Sequence, residues 1–106
     1  MSETEMTIKA ARAISKVRNL LEKENIVGFK IGKTDDCIRR ENEYKAEGYT
    51  QLITLVELDS SEKANQIESK LISVFSEDRR CNNKRDGGGG NISPNNRYFV
   101  YIAIIK

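Results

Sequence analysis

The chain of 106 residues is 38% hydrophobic and 32% charged, a balance suited to one modest globular core and unlike that of a disordered or membrane-embedded chain. A net charge of +2 is too small to imply a nucleic-acid partner by itself, so only local clusters of charge can carry that argument. The sequence has no histidine and two cysteines, Cys37 and Cys81, which excludes Ser-His-Asp and Cys-His catalysis, His-ligated zinc and a disulfide framework; a general base has to be Tyr, Lys, Asp, Glu or metal-activated water.

The opening Met1-Ser2-Glu3-Thr4-Glu5 is acidic and polar, unlike a secretory signal. No apolar run approaches the roughly 20 residues of a bilayer span. A reducing, cytoplasmic setting without a membrane partner is therefore expected. From Thr7 to Glu24 the chain reads as an amphipathic helix, with Ala10, Ala13, Ile14, Val17, Leu20 and Leu21 at spacings of three and four. Lys9, Arg12, Lys16 and Lys23 fall largely on its other side, a face that could lie on phosphates or simply be solvated.

Ile26 to Gly32 reads as a strand, with Val27, Phe29 and Ile31 on one face and Gly28, Lys30 and Gly32 on the other. Lys33-Thr34-Asp35 turns the chain. Asp35 or Asp36 can cap a helix running to Ala46, and Gly48 ends it. Thr50 to Leu58 is a second strand. Asp59-Ser60-Ser61-Glu62 opens a third helix reaching Ser76, with an apolar stripe of Ala64, Ile67, Leu71, Val74 and Phe75. Glu77 to Pro94 reads as a polar loop, part of a basic, glycine-rich region over 77–97. Tyr98 to Ile105 is apolar at both alternating sets, as a central strand covered on both faces would be. The expected architecture is α+β: one domain over 1–106, with a small three-stranded, mainly antiparallel sheet flanked by helices.

Several residues could carry chemistry. Phe29-Lys30-Ile31-Gly32-Lys33-Thr34 ends a strand in a glycine turn, and Arg40 follows eight residues after Gly32 on the next helix, with Arg39 beside it. An arginine fork on a rigid helix can hold two phosphoryl oxygens and offset the charge that builds up in phosphodiester cleavage. Glu68 sits on an apolar helix face among Ala64, Leu71, Ile72 and Phe75, where a buried carboxylate requires a cation, either a metal ion or an arginine or lysine. Cys81-Asn82-Asn83 precedes Gly87-Gly88-Gly89-Gly90, and Arg79, Arg80, Lys84 and Arg85 make this region basic, able to grip a nucleic-acid backbone.

Taken together, this order resembles the second half of the GIY-YIG nuclease signature, in the small phage-type variants. The resemblance covers Val27 to Gly90. Lys30 stands where most members have the tyrosine of Tyr-Ile-Gly. The Gly-Ile-Tyr strand that normally opens the family is missing from its usual place; Phe99-Val100-Tyr101-Ile102 is similar to it, which implies a circular permutation that puts the last strand beside the Lys30 strand and Tyr101 in the nucleophile-activating position.

The resemblance implies a catalytic set of Arg40, Glu68, Tyr101 and Lys30. Glu68 would hold one Mg2+ or Mn2+ ion, Tyr101 would orient or deprotonate water, and Lys30 would assist it. Lys33, Arg39, Asn82, Asn83, Lys84 and Arg85 would bind substrate, Asn82 and Asn83 being alternatives for the family asparagine. The function implied is metal-dependent hydrolysis of DNA, with a homodimer as one arrangement for reading a longer site. The alternative is a catalytically inactive module on the same scaffold, binding nucleic acid, a nucleotide or a protein partner.

Overall fold

Six elements follow one another in the computed structural model, which describes residues 3–83 and 97–106: α1 (Glu3–Lys23), β1 (Gly28–Thr34), α2 (Cys37–Ala46), β2 (Gln51–Leu58), α3 (Ser61–Phe75) and β3 (Tyr98–Ile105). Lys84, Arg85 and the glycine run lie outside the described residues. Local chemistry sets the helix starts. Asp36 caps α2 by accepting from the Arg39 amide at 3.0 Å, and Ser60 caps α3 by accepting from the Lys63 amide at 3.2 Å. Gly48, at φ +99°, takes the left-handed turn after α2 that a Cβ would disfavour.

The sheet order is β1-β3-β2, with the C-terminal strand in the centre and antiparallel to both neighbours. Its alternation fills two separate layers. Val100, Ile102 and Ile104, with Phe29 and Ile31 of β1, face Ala13, Val17 and Leu21 of α1 and Ala64, Ile67 and Leu71 of α3. Tyr101 and Ala103 face the other way and pack with Tyr44 of α2, beside Tyr49 and Leu52. The first layer holds most of the fold together, since each fully buried Leu, Ile, Val or Phe contributes about 1.5–3 kcal/mol. Among the described residues, no helix is long and apolar enough to cross a membrane.

Two residues depart from the expected apolar faces. Val27 is 67% exposed, because the strand begins only at Gly28; Ile26, at 5%, is buried instead. Val74 is exposed on α3, because the buried stripe runs Ala64, Ile67, Glu68, Leu71, Ile72 and Phe75, and Val74 lies off this series.

The outer edge of β1 is also covered. The Phe29 amide donates to the Arg80 carbonyl at 2.8 Å, the Asn82 amide donates to the Phe29 carbonyl at 2.7 Å, and Cys81 bridges Phe29 in parallel. Arg80, expected as part of a nucleic-acid grip, is turned inward. Its guanidinium grips Asp78 through two hydrogen bonds of 2.9 and 2.8 Å and donates to the Leu21 carbonyl at 3.0 Å. It thereby satisfies a terminal carbonyl of α1, and the Asp78 carboxyl is held below its usual range chiefly by that guanidinium.

Candidate functional site

The antiparallel register pairs Gly32 with Tyr101 across β1 and β3. This pairing explains the glycine. A Cβ on residue 32 would lie 2.3 Å from Tyr101 Oη and 2.6 Å from its Cζ, so the missing side chain is the space the phenol occupies. Tyr101 is 2% exposed, and its hydroxyl lies 2.9 Å from that of Tyr44. The two rings meet edge to face at 5.7 Å between centroids, and Tyr49 packs on Tyr44 at 5.0 Å.

Burial holds the Tyr101 phenol well above its ordinary pKa, and the hydrogen bond to Tyr44 raises it further. Arg40 pulls it down and Glu68 pushes it up, so both charges lie within electrostatic reach of the same hydroxyl. The three residues come from β3, α2 and α3, and both charges are felt at the one hydroxyl. The phenol is neutral at physiological pH. It can orient a water or a phosphoryl oxygen, and it does not begin as a phenolate.

Arg40 and Arg39 are neighbours with different surroundings. Arg39 is committed to Asp35 at 3.2 Å and approaches Glu43 at 4.0 Å. Arg40 has a looser contact with Glu43, 3.6 Å away, and its Nε is buried with no hydrogen-bond partner among the described residues. A buried donor in that condition suits an incoming anion. Glu68 is 3% exposed on α3. Among the described residues no group of three or more His, Cys, Asp or Glu surrounds a common point, and Glu68 is the carboxylate that would hold a metal here. That donor set fits Mg2+, which keeps several waters and takes substrate phosphate oxygens as further ligands.

Lys30 is half-buried, with its Nζ 5.8 Å from the centroid of the Tyr44 ring. Lys33 is buried, and its Nζ lies 3.3 Å from Ser61 Oγ at the start of α3, which places it on the opposite face of β1 from Lys30. The two asparagines divide their work. Asn83 clamps β1: its Oδ1 accepts from the Ile31 amide at 2.8 Å and its Nδ2 donates to the Ile31 carbonyl at 2.8 Å. Asn82 donates to Tyr49 Oη at 3.1 Å. Replacing Asn83 by alanine removes both bonds at the residue before Gly32. We expect a loss of about 1–3 kcal/mol in urea unfolding, together with faster amide exchange at Ile31.

Tyr44 is the site residue that sequence reasoning missed. A signal was present: it is the only aromatic in the helix, four residues after Arg40 and so on the same face. An aromatic so placed has to be the helix's anchor on the sheet, and Tyr44 is the buried residue of α2.

Residues 13–103 match the family described as T5orf172 domain. This domain is found in phage and bacterial nuclease-like proteins, and it points to a nuclease-related or nucleic-acid-binding role. No curated protein and no solved structure matches the chain.

Proposed function

Because the chain belongs to the T5orf172 domain family, we propose that it is a metal-dependent endonuclease of the GIY-YIG type that hydrolyses DNA phosphodiester bonds. The observation that carries this reading is the Tyr101 hydroxyl, seated in the Gly32 notch against Tyr44, where the charges of Arg40 and Glu68 are both felt. The placement of β3 between β1 and β2 supports a permuted form of the family's sheet, in which the last strand takes the part of the first.

In this mechanism Arg40, whose Nε has no hydrogen-bond partner among the described residues, holds the scissile phosphate. Tyr101, fixed by Tyr44, orients the attacking water by hydrogen bonding. Lys30, over the Tyr44 ring, adds positive charge beside the hydroxyl pair and can relay a proton. Glu68 would hold the divalent ion, which supplies Lewis acidity and charge neutralisation at the phosphate. Asn83 keeps β1 in register, and Arg39, Lys33, Asn82, Lys84 and Arg85 would guide the strand.

Conversion of supercoiled plasmid to nicked circles tests the reading. Wild type should nick in Mg2+ or Mn2+ and not in chelator. Tyr101→Phe, which loses only the hydroxyl, should nick about 10²–10⁴-fold more slowly. Folded wild type that nicks nothing under either metal overturns the nuclease reading. The near-complete burial of Tyr101 favours a second reading in that event: a phosphate-binding module that has lost the reaction.

A further inference from the structure

The cations of this protein are distributed unevenly between neutralised and free positions. On α2 and α3, Arg39, Arg40, Lys45 and Lys63 each have a carboxylate within 4.0 Å, and Lys70 is the exception among the described residues. On α1 the pattern is different. Arg12, Lys16 and Lys23 are exposed, and no ion pair joins any of them to a described residue. The sequence also provides no intrahelical partner, because no acidic residue lies three or four positions from any of the three.

Their spacing matters as much as their charge. Positions 12, 16 and 23, with Asn19 between, fall on one stripe opposite the buried Ala13, Val17 and Leu21. The stripe is about 16 Å long at the helical rise of 1.5 Å per residue. Beside it the small residues Ala11 and Ser15 leave a shallow depression, also lined by Arg12, Lys16 and Asn19. A row of unneutralised cations next to a low shoulder on a rigid helix is complementary to a polyanion that must approach closely.

We propose that this outer face of α1 is a phosphate-backbone contact for a nucleic-acid duplex, separate from the cleavage site. The inference rests on the nucleic-acid reading of the site above and extends it. The stripe is on the outside of the α1–α3 layer, whereas Tyr101 and Tyr44 lie on the other face of the sheet. The stripe therefore contributes sequence-independent affinity and takes no part in the reaction.

The experiment is a salt titration of duplex binding by the full chain, read by the anisotropy of a fluorescein-labelled DNA duplex. The wild type is compared with two charge-matched triples. One is Arg12→Gln, Lys16→Gln, Lys23→Gln. The other replaces three ion-paired lysines, Lys45→Gln, Lys63→Gln, Lys106→Gln. The stripe triple should lower the slope of log affinity against log salt by about 2.7, at about 0.9 per lost phosphate contact, and leave nicking at saturating DNA unchanged. The paired triple should change the slope much less. Equal slopes for the two triples, or a stripe triple indistinguishable from wild type, overturn the stripe while leaving the nucleic-acid reading in place. A wild type that binds no duplex overturns both.

Discussion

Adding a single methyl group at position 32 is expected to damage this protein twice. In Gly32→Ala the new Cβ would be built 2.3 Å from Tyr101 Oη and 2.6 Å from Cζ. Neither side can yield easily. The glycine backbone is paired in the β1–β3 ladder, and the phenol is buried and tied to Tyr44 at 2.9 Å. Overpacking of a closed core costs about 1–3 kcal/mol. In a domain of this size each kcal/mol lowers the melting temperature by roughly 4–8 °C. The second effect is on chemistry. A phenol pushed aside by about 1 Å no longer meets a water or phosphoryl oxygen correctly, a misplacement that can cost about 10²-fold in rate. Thermal unfolding and plasmid nicking, measured on one preparation, separate the two effects. Gly28→Ala is the control. A Cβ there comes closest to the side-chain ends of Asn82 and Ile105, both at 3.2 Å, which can move, and the Arg80 carbonyl oxygen is at an ordinary contact distance of 3.8 Å. If Gly32→Ala proves as stable and active as Gly28→Ala, the notch is not what the glycine is for.

Glu68→Gln is expected to abolish metal-dependent nicking with the fold retained. Glutamine matches the carboxylate in size, so the packing of α3 against Ile67, Leu71 and Phe75 is preserved. The charge is lost, and with it the carboxylate proposed to hold the divalent ion. Losing one preorganised electrostatic group costs about 10²–10³-fold, which takes a slow nuclease to background. DNA affinity measured in chelator should stay within a few-fold of wild type, because Arg40 and the cations of α1 are untouched. Undiminished nicking by Glu68→Gln in Mg2+ would remove the metal from the mechanism and leave Glu68 as the counter-charge of Arg40.

The start of α2 at Asp35 or Asp36, that of α3 within Asp59-Ser60-Ser61-Glu62, the stop at Gly48 and the doubly buried last strand were all legible, because capping, backbone sterics and hydrophobic period act over a few residues; the structure selects Asp36 and Ser60 as the caps. The first helix begins four residues earlier than its apolar period implies, at Glu3, since polar residues can extend a helix without adding to its stripe. Arg40 was legible as a candidate from its offset, but Arg39 could not be set aside. The difference between them is one of about 100° around α2, and only the packed neighbourhood shows which is engaged by Asp35.

The sequence by itself determined the elements, the α+β class and the central place of the last strand. Only the tertiary structure decided their geometry. Tyr44 and Tyr101 are 57 positions apart, and Asn83 grips Ile31 across 52. Gly32 owes its identity to a residue on another strand, through a register no local pattern encodes. Periodicity and capping arise from contacts within about two helical turns, whereas the hydroxyl pair, the notch and the asparagine clamp depend on which strand lies beside which. That choice is made by burial of the whole sheet between α1, α3 and α2, and so it appears only when the chain is folded.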